Sequence, residues 1–269
     1  MDLHIHSTHS DGLLTPGDIV RYSKKYQLKA ISITDHDAIS NLQEAMAAGE
    51  KYGVEIVPGI ELSTKLDDYS IHLLGYYINP EYPSIIEYVN ENRFIREERA
   101  KKIVSRLGEL GIKISYELVK LRSTGGVIGR PHIADVLLEE GFVFSFRDAF
   151  EKYLGENKAA YVPKPTLSPE EGIEKIHNAG GLAFVAHPAI DINDEIIFQL
   201  MDLGLDGIEV YHPKHLESEM EQFLSLAVNN NLLVSGGSDC HGPRSTDIML
   251  GTMKVPYHYL EQMKEKLYY

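Results

Sequence analysis

Short β-prone runs separated by helix-like stretches constrain this chain more than any other feature. They are DLHIH (2–6), KAISIT (29–34), VEIVPGIE (54–61), IHLLGYY (71–77), GLAFVAH (181–187), DGIEVY (206–211) and NLLVSGGSD (231–239). Apolar runs flanked by helices predict parallel strands covered on both faces. The intervening helices announce their starts. Thr15 before Pro16 and Asp18 fits an N-cap, a first-turn proline and an acidic first turn. Ser168-Pro169-Glu170-Glu171 fits a capping box, and Gly180-Gly181 closes that helix. About seven such units predict an α/β fold, with a closed or nearly closed barrel favoured over an open sheet.

The rhythm breaks between Glu81 and Lys164. EYPSIIEYVNENRFIREERAKKIVSRLGELG reads as one long helix, followed by RPHIADVLLEEGF and FRDAFEKYLG as shorter ones. The expected organisation is a barrel domain from residues 1–80 and 165–269, with 81–164 a helical insertion large enough to act as a lid.

No run approaches the ~18 apolar residues of a membrane span, and no signal peptide is evident. One cysteine among 269 residues rules out an internal disulfide framework and fits a reducing cytoplasm. A formal charge of −14 argues against broad, sequence-independent nucleic-acid binding. It leaves room for an anionic substrate, because bound divalent cations make a local pocket positive inside an acidic shell. No obligatory protein partner is evident.

The strand ends carry the chemistry. Side chains at i and i+2 of a strand share a face, so His4 and His6 can grip one ion together. The second run passes into Asp35-His36-Asp37, the third ends at Glu61, the fifth at His187, and the last at Asp239 and His241. His72 sits near the start of its run, which implies an earlier strand start or an unusual polarity. Imidazoles and carboxylates therefore recur where barrel enzymes build their sites.

DLHIHSTHSDG, ITDHD, PGIELS, AHP and SDCH, in that order, resemble the successive motifs of the PHP (polymerase and histidinol phosphatase) family. The resemblance spans the chain apart from detail in the insertion. It implies a distorted seven-stranded βα barrel with a trinuclear metal centre at its mouth. By the same resemblance, His4, His6 and Asp239 would hold a first ion, and Glu61 would bridge it to a second completed by His72 and His187. Asp11, His36 and His241 would hold the third.

Nitrogen and oxygen donors without thiolate suit Mn²⁺, Fe²⁺ or Zn²⁺, with Mn²⁺ the first expectation. Cys240 is read as a buried spacer. Clustered divalent ions support in-line displacement at phosphorus by a metal-bound hydroxide. No nucleophile elbow or P-loop competes with that chemistry.

From the insertion, Arg130 and His132 in IGRPHIA and Lys164 in YVPK are expected to bind phosphate. His212 and His9 are candidates for assisting the leaving group or orienting water, with His212 preferred. Arg93, Arg96 and Arg99 read as a solvated helix face, His177 as a helix-dipole partner, and His215 and His258 as surface residues.

Within the family, GRPHIA and YVPK inside a helical insert look like phosphoesterases acting on nucleotides. The expected activity is hydrolysis of a phosphate monoester of a small nucleotide, of the nucleoside 3′,5′-bisphosphate type, with 5′-to-3′ trimming of short RNA alongside. Two alternatives stand: a histidinol-phosphate phosphatase, and a non-catalytic binding module stapled by its metals.

Overall fold

A computed structural model describes residues 1–40, 42–243 and 249–268. Strand β1 (Asp2–Ile5) pairs in parallel with β2 (Ala30–Ile33), and β2 with β3 (Glu55–Ile56). The crossovers contain α1 (Pro16–Lys25) and α2 (Leu42–Tyr52). At the start of α1, Thr15 accepts the Asp18 N–H at 3.1 Å with Pro16 in the first turn, as the sequence predicts.

A second sheet runs in the order β4 (Gly59–Leu66), β5 (Tyr69–Tyr76), β6 (Leu182–Val185), β7 (Gly207–Tyr211), β8 (Leu233–Gly236). Here β5 is antiparallel to both of its neighbours, whereas β6, β7 and β8 are parallel. The run at 54–61 is two strands split at Val57-Pro58, and β5 both starts earlier than its apolar run, at Tyr69, and has the unusual polarity that the position of His72 left open.

Among the described residues, isolated bridges join the two sheets at two places. Ile5 bridges Cys240, with the His6 N–H donating to the Cys240 carbonyl at 3.0 Å. His36 bridges Glu61, with the Asp37 N–H donating to the Glu61 carbonyl at 2.9 Å. Around these strands the core is mostly aliphatic, with Leu3, Ile5, Ile60 and Leu73 fully buried beside the aromatic pair Tyr76 and Phe184.

The middle of the chain is helical, as expected. α3 (Pro83–Glu109) is followed by α4 (Tyr116–Arg122), α5 (Arg130–Glu139) and α6 (Phe146–Ala149), which runs on as a π-helical turn at Phe150–Leu154. α4, capped by Ser115, was not foreseen. These helices share their own cluster, built on Ile103, Leu107, Val119, Ile133, Leu137 and Leu154. The chain then returns through α7 (Pro169–Asn178), whose predicted capping box is present: Ser168 and Glu171 exchange side-chain to backbone bonds of 3.2 and 2.8 Å. α8 (Pro188–Asp191), α9 (Asp194–Asp202), α10 (Glu217–Asn229) and α11 (His258–Tyr268) complete the chain. Among the described residues no helix is long and apolar enough to cross a membrane.

Candidate metal centre

Strand alternation does what the H-x-H spacing requires. Leu3 and Ile5 enter hydrophobic clusters, while His4 and His6 share the opposite face and are buried. His6 Nε2 lies 3.2 Å from Glu61 Oε2 and 3.1 Å from Asp239 Oδ1. His4 Nε2 faces the same two carboxylates at 3.4 and 3.5 Å.

Glu61 is the centre of the assembly. His36 Nδ1 approaches its Oε2 at 2.9 Å, and His72 Nδ1 and His187 Nε2 approach its Oε1 at 2.8 and 3.3 Å. On the far side, His241 Nε2 sits 3.4 Å from Asp11 Oδ1. Four overlapping groups result, with donor atoms all within 4.8 Å of one another: His6, Asp11, His36 and His241; His4, His6 and Asp239; His4, Glu61 and His187; His36, Glu61 and His72. All nine predicted ligand positions fall in these groups. His72 and His187, assigned by resemblance to one ion, fall in different groups that share Glu61.

The polarity of β5 explains His72. Opposite Ser63 in β4, and with its carbonyl accepting the Ala186 N–H, it lies beside the carboxyl end of β6 because its strand runs backwards. A parallel strand would carry an early residue to the other end of the sheet.

The donor set fits divalent cations. His4 Nε2, both ring nitrogens of His6, His36 Nδ1, His72 Nδ1 and Glu61 Oε2 are buried without a well-directed hydrogen bond. Polar atoms buried in this way are costly unless something else satisfies them. Burial opposes ionisation of Glu61, Asp11 and Asp239, but the surrounding imidazoles more than offset it and hold all three well below the usual carboxylate range. Burial, then His241 and His36, pushes His6 down to about 4. The carboxylates in turn outweigh burial at His4, His36 and His241 and hold these rings above the ordinary imidazole value, His241 at about 9, so a cation entering the cage would displace their protons. Cys240 is buried against Ile5 and Ile19, the spacer expected of it.

A cavity of about 210 Å³ opens over this cage. Asp11, His36 and His72 line it from the sheet side, and Arg99, Arg130 and Lys164 from the helical side. Arg130 lies over the Phe150 and Tyr161 rings at 5.7 and 5.6 Å and donates to the Leu154 carbonyl at 3.1 Å. Arg99 Nε donates to the Val162 carbonyl at 2.6 Å, and burial with Arg130 nearby pushes its pKa down to about 10.

Several expectations need correcting. His132 does not reach the cavity lining; its Nδ1 accepts the Gly129 N–H at 3.0 Å and caps α5. His9 lies outside the cage, with Nδ1 2.7 Å from Ser40 Oγ in a solvent-exposed pair. Arg96 and Arg99 are not a solvated face: Arg96 is buried on Asp37, and both line the cavity. Arg93 alone is exposed, donating to the Gly125 carbonyl at 2.7 Å. His215 is buried, with Nδ1 2.9 Å from the Val210 carbonyl. His177 bonds Asp206 at 2.7 Å in the last turn of α7, and His258 is exposed.

His212 is buried with its ring 5.5 Å from that of His187, and its Nε2 lies 3.5 Å from Asp239 Oδ2. Two residues escaped the sequence reading. Asp37 accepts Tyr88 Oη at 2.6 Å, the Ser63 N–H at 2.9 Å, Arg96 Nε at 3.1 Å and Lys164 Nζ at 2.9 Å, tying helix α3 and the returning chain to the residue beside His36. Glu209, fully buried in β7, contacts His4. The signal for Glu209 was a carboxylate inside the apolar run GIEVY; Asp37, between His36 and Ala38, carried none.

Residues 2–164 match the PHP domain. This chain belongs to the PHP family. Its relatives include the 5′-3′ exoribonuclease Rnm of Salmonella typhimurium, 32% identical, with the alignment covering 90% of this chain and 85% of that protein. The 3′,5′-nucleoside bisphosphate phosphatase of Chromobacterium violaceum is also 32% identical, covering 90% and 87%. A crystal structure from Bifidobacterium adolescentis, provisionally named a metal-dependent phosphoesterase, superposes with a TM-score of 0.90 at 31% identity over 97% of this chain and 94% of that one. This PHP protein is an enzyme, a metal-dependent phosphoesterase, and its His, Asp and Glu clusters are able to bind divalent metal.

Proposed function

We propose that this PHP phosphoesterase removes a phosphate from a small nucleotide bearing two, of the nucleoside 3′,5′-bisphosphate type. The observation that carries this reading is a pair of arginines whose acidic neighbour in the cavity wall, Glu156, makes no direct ion pair with either. Among the described residues, neither Arg99 nor Arg130 has a carboxylate within 4.0 Å, although Arg96, Arg122 and Arg147 each do. Two desolvated guanidiniums on the wall of the cavity that holds the cage favour a second anion there.

In this reading His4, His6, Asp11, His36, Glu61, His72, His187, Asp239 and His241 hold three divalent ions, manganese first among them. Bound divalent cations lower the pKa of water and neutralise charge on the phosphate being cleaved. Arg130, Arg99 and Lys164 hold the other phosphate, which fixes the ester over the cage. Phe150 and Tyr161 shield that end from water. His212 serves the leaving oxygen: its Nδ1 accepts the Lys214 N–H at 3.2 Å, so the neutral ring carries its proton on Nε2, toward the cage.

We further read the two sheets as a closed, distorted seven-stranded barrel, with β3 outside the ring. Residues 81–164 form its lid, and the protein works in the cytoplasm. The name of the Salmonella relative supports 5′-to-3′ trimming of short RNA as an accompanying activity.

The test is phosphate release by manganese-loaded enzyme from adenosine 3′,5′-bisphosphate, AMP and histidinol phosphate, with a 5′-phosphorylated oligoribonucleotide followed by gel. The bisphosphate should have the highest kcat/KM. A preference for histidinol phosphate would favour the other branch of the family. No release from any ester would leave the metal-stapled binding module.

A further inference from the structure

Glu209 sits between Ile208 and Val210 in β7, fully buried, and has no part in the chemistry above. Its Oε1 and Oε2 lie 3.0 and 3.2 Å from His4 Nδ1, and Oε2 also accepts the His187 backbone N–H at 2.8 Å. One carboxylate thus touches two members of the cage that are 183 positions apart in the chain (187 minus 4).

Both contacts have consequences. A ring whose Nδ1–H is given to Glu209 turns an unprotonated Nε2 toward Glu61 and Asp239. His187 stands at φ 30°, ψ 54°, a left-handed conformation that non-glycine residues rarely adopt, so its backbone must be pinned to persist.

We infer that Glu209 is a positioning residue: it sets the ring tautomer of His4 and the backbone of His187, so that both present nitrogen to the ions. The inference rests on the reading of the cage as a divalent-cation site. Carboxylates that orient ligating imidazoles from behind are worth about 10–100-fold in metal affinity.

The test is E209Q, which keeps the side-chain length but offers a single acceptor oxygen to the two donors. Chelator competition should show Mn²⁺ and Zn²⁺ bound about 10–100-fold more weakly than by the wild type. In ¹⁵N-histidine spectra of the Zn²⁺-loaded wild type, His4 Nδ1 should be protonated and strongly hydrogen-bonded, and E209Q should weaken that signature. Wild-type affinity and stoichiometry in E209Q, whatever its metal-free melting temperature, would overturn the inference. An unprotonated His4 Nδ1 in the loaded wild type would overturn it too, without requiring the variant to fold. A wild type that takes up no cation would overturn the cation reading beneath it as well.

Discussion

Replacing Asp37 with Asn should do more damage than replacing any other carboxylate outside the cage. Asp37 is fully buried and is the only acidic partner, among the described residues, of Arg96 and Lys164, whose side chains are 10% and 9% exposed. Asn removes the charge, leaves both cations buried, and turns an NH₂ toward a set of donors. Breaking a buried pair from one side costs about 3–5 kcal/mol, because the surviving charge keeps its desolvation penalty. At roughly 2–4 °C per kcal/mol for a chain of this size, ~4 kcal/mol lowers Tm by about 8–16 °C.

The pH dependence has a definite sign. Burial raises the Asp37 pKa, but Lys164 and Arg96 bring it well below the ordinary carboxylate value. A depressed folded pKa contributes stability above the unfolded value of about 4, and that stability is lost as pH falls through the folded one. Urea unfolding of the metal-free protein should therefore separate wild type from D37N at pH 7 and bring them together at acid pH. D37N/R96M/K164M, with no orphaned cation, should recover more than half of the loss. A D37N penalty under about 1 kcal/mol, or a triple variant no better than D37N, would refute the reasoning.

Arg130→Met should raise KM for a nucleoside bisphosphate about 10–100-fold, from the loss of charge-assisted bonds of ~1.5–3 kcal/mol, with little effect on a monophosphate; steady-state kinetics on both checks this. Lys164, pushed down to about 8 by burial and by Arg96, loses its charge as pH rises through that value, so bisphosphate affinity should fall between pH 7 and 9 and K164R should flatten the profile. Chelation should abolish phosphate release, and returning an ion to ~1,000 times its Kd should stabilise the protein by about 4 kcal/mol per site in thermal melts. His132→Ala should cost ~1 kcal/mol in urea unfolding as a lost cap, with KM unchanged.

The candidate ligands His36, Glu61, His187 and Asp239 were legible because each stands at the end of a β-prone run, where the strand fixes the direction of the side chain before the chain turns. The helical wall was less legible for a physical reason. Arg93, Arg96 and Arg99 share acidic neighbours in the sequence, and local pattern cannot tell a face turned to water from one turned to Asp37. His132 and His9 misled because a histidine in the first turn of a helix or in a serine-rich loop serves a cap or a surface hydroxyl as readily as a phosphate.

The reversed strand is a different case: the position of His72 left an earlier start or an unusual polarity open, both hold, and the chain carried a further signal. Side-chain alternation is the same in either direction, so the pattern of IHLLGYY cannot report polarity. The connection can. β4 ends at Leu66 and β5 begins at Tyr69, leaving Asp67 and Asp68 between them, with Asp67 at φ 51°. Two residues can close a hairpin, whereas parallel neighbours need a crossover of a dozen or more. Ending the third run at Glu61 hid this, since it left an apparent gap before the next strand. Once β4 is carried to Leu66, the hairpin is forced, and two features of the site follow from it. His72 is returned to the end of the sheet where Glu61 stands. Lys65 and Ser70, paired across the hairpin, come to line the cavity over the cage. Lengthening the Asp67-Asp68 turn with glycines should therefore weaken metal binding through His72, as read by chelator competition, while leaving the pairing of β1 with β2 intact.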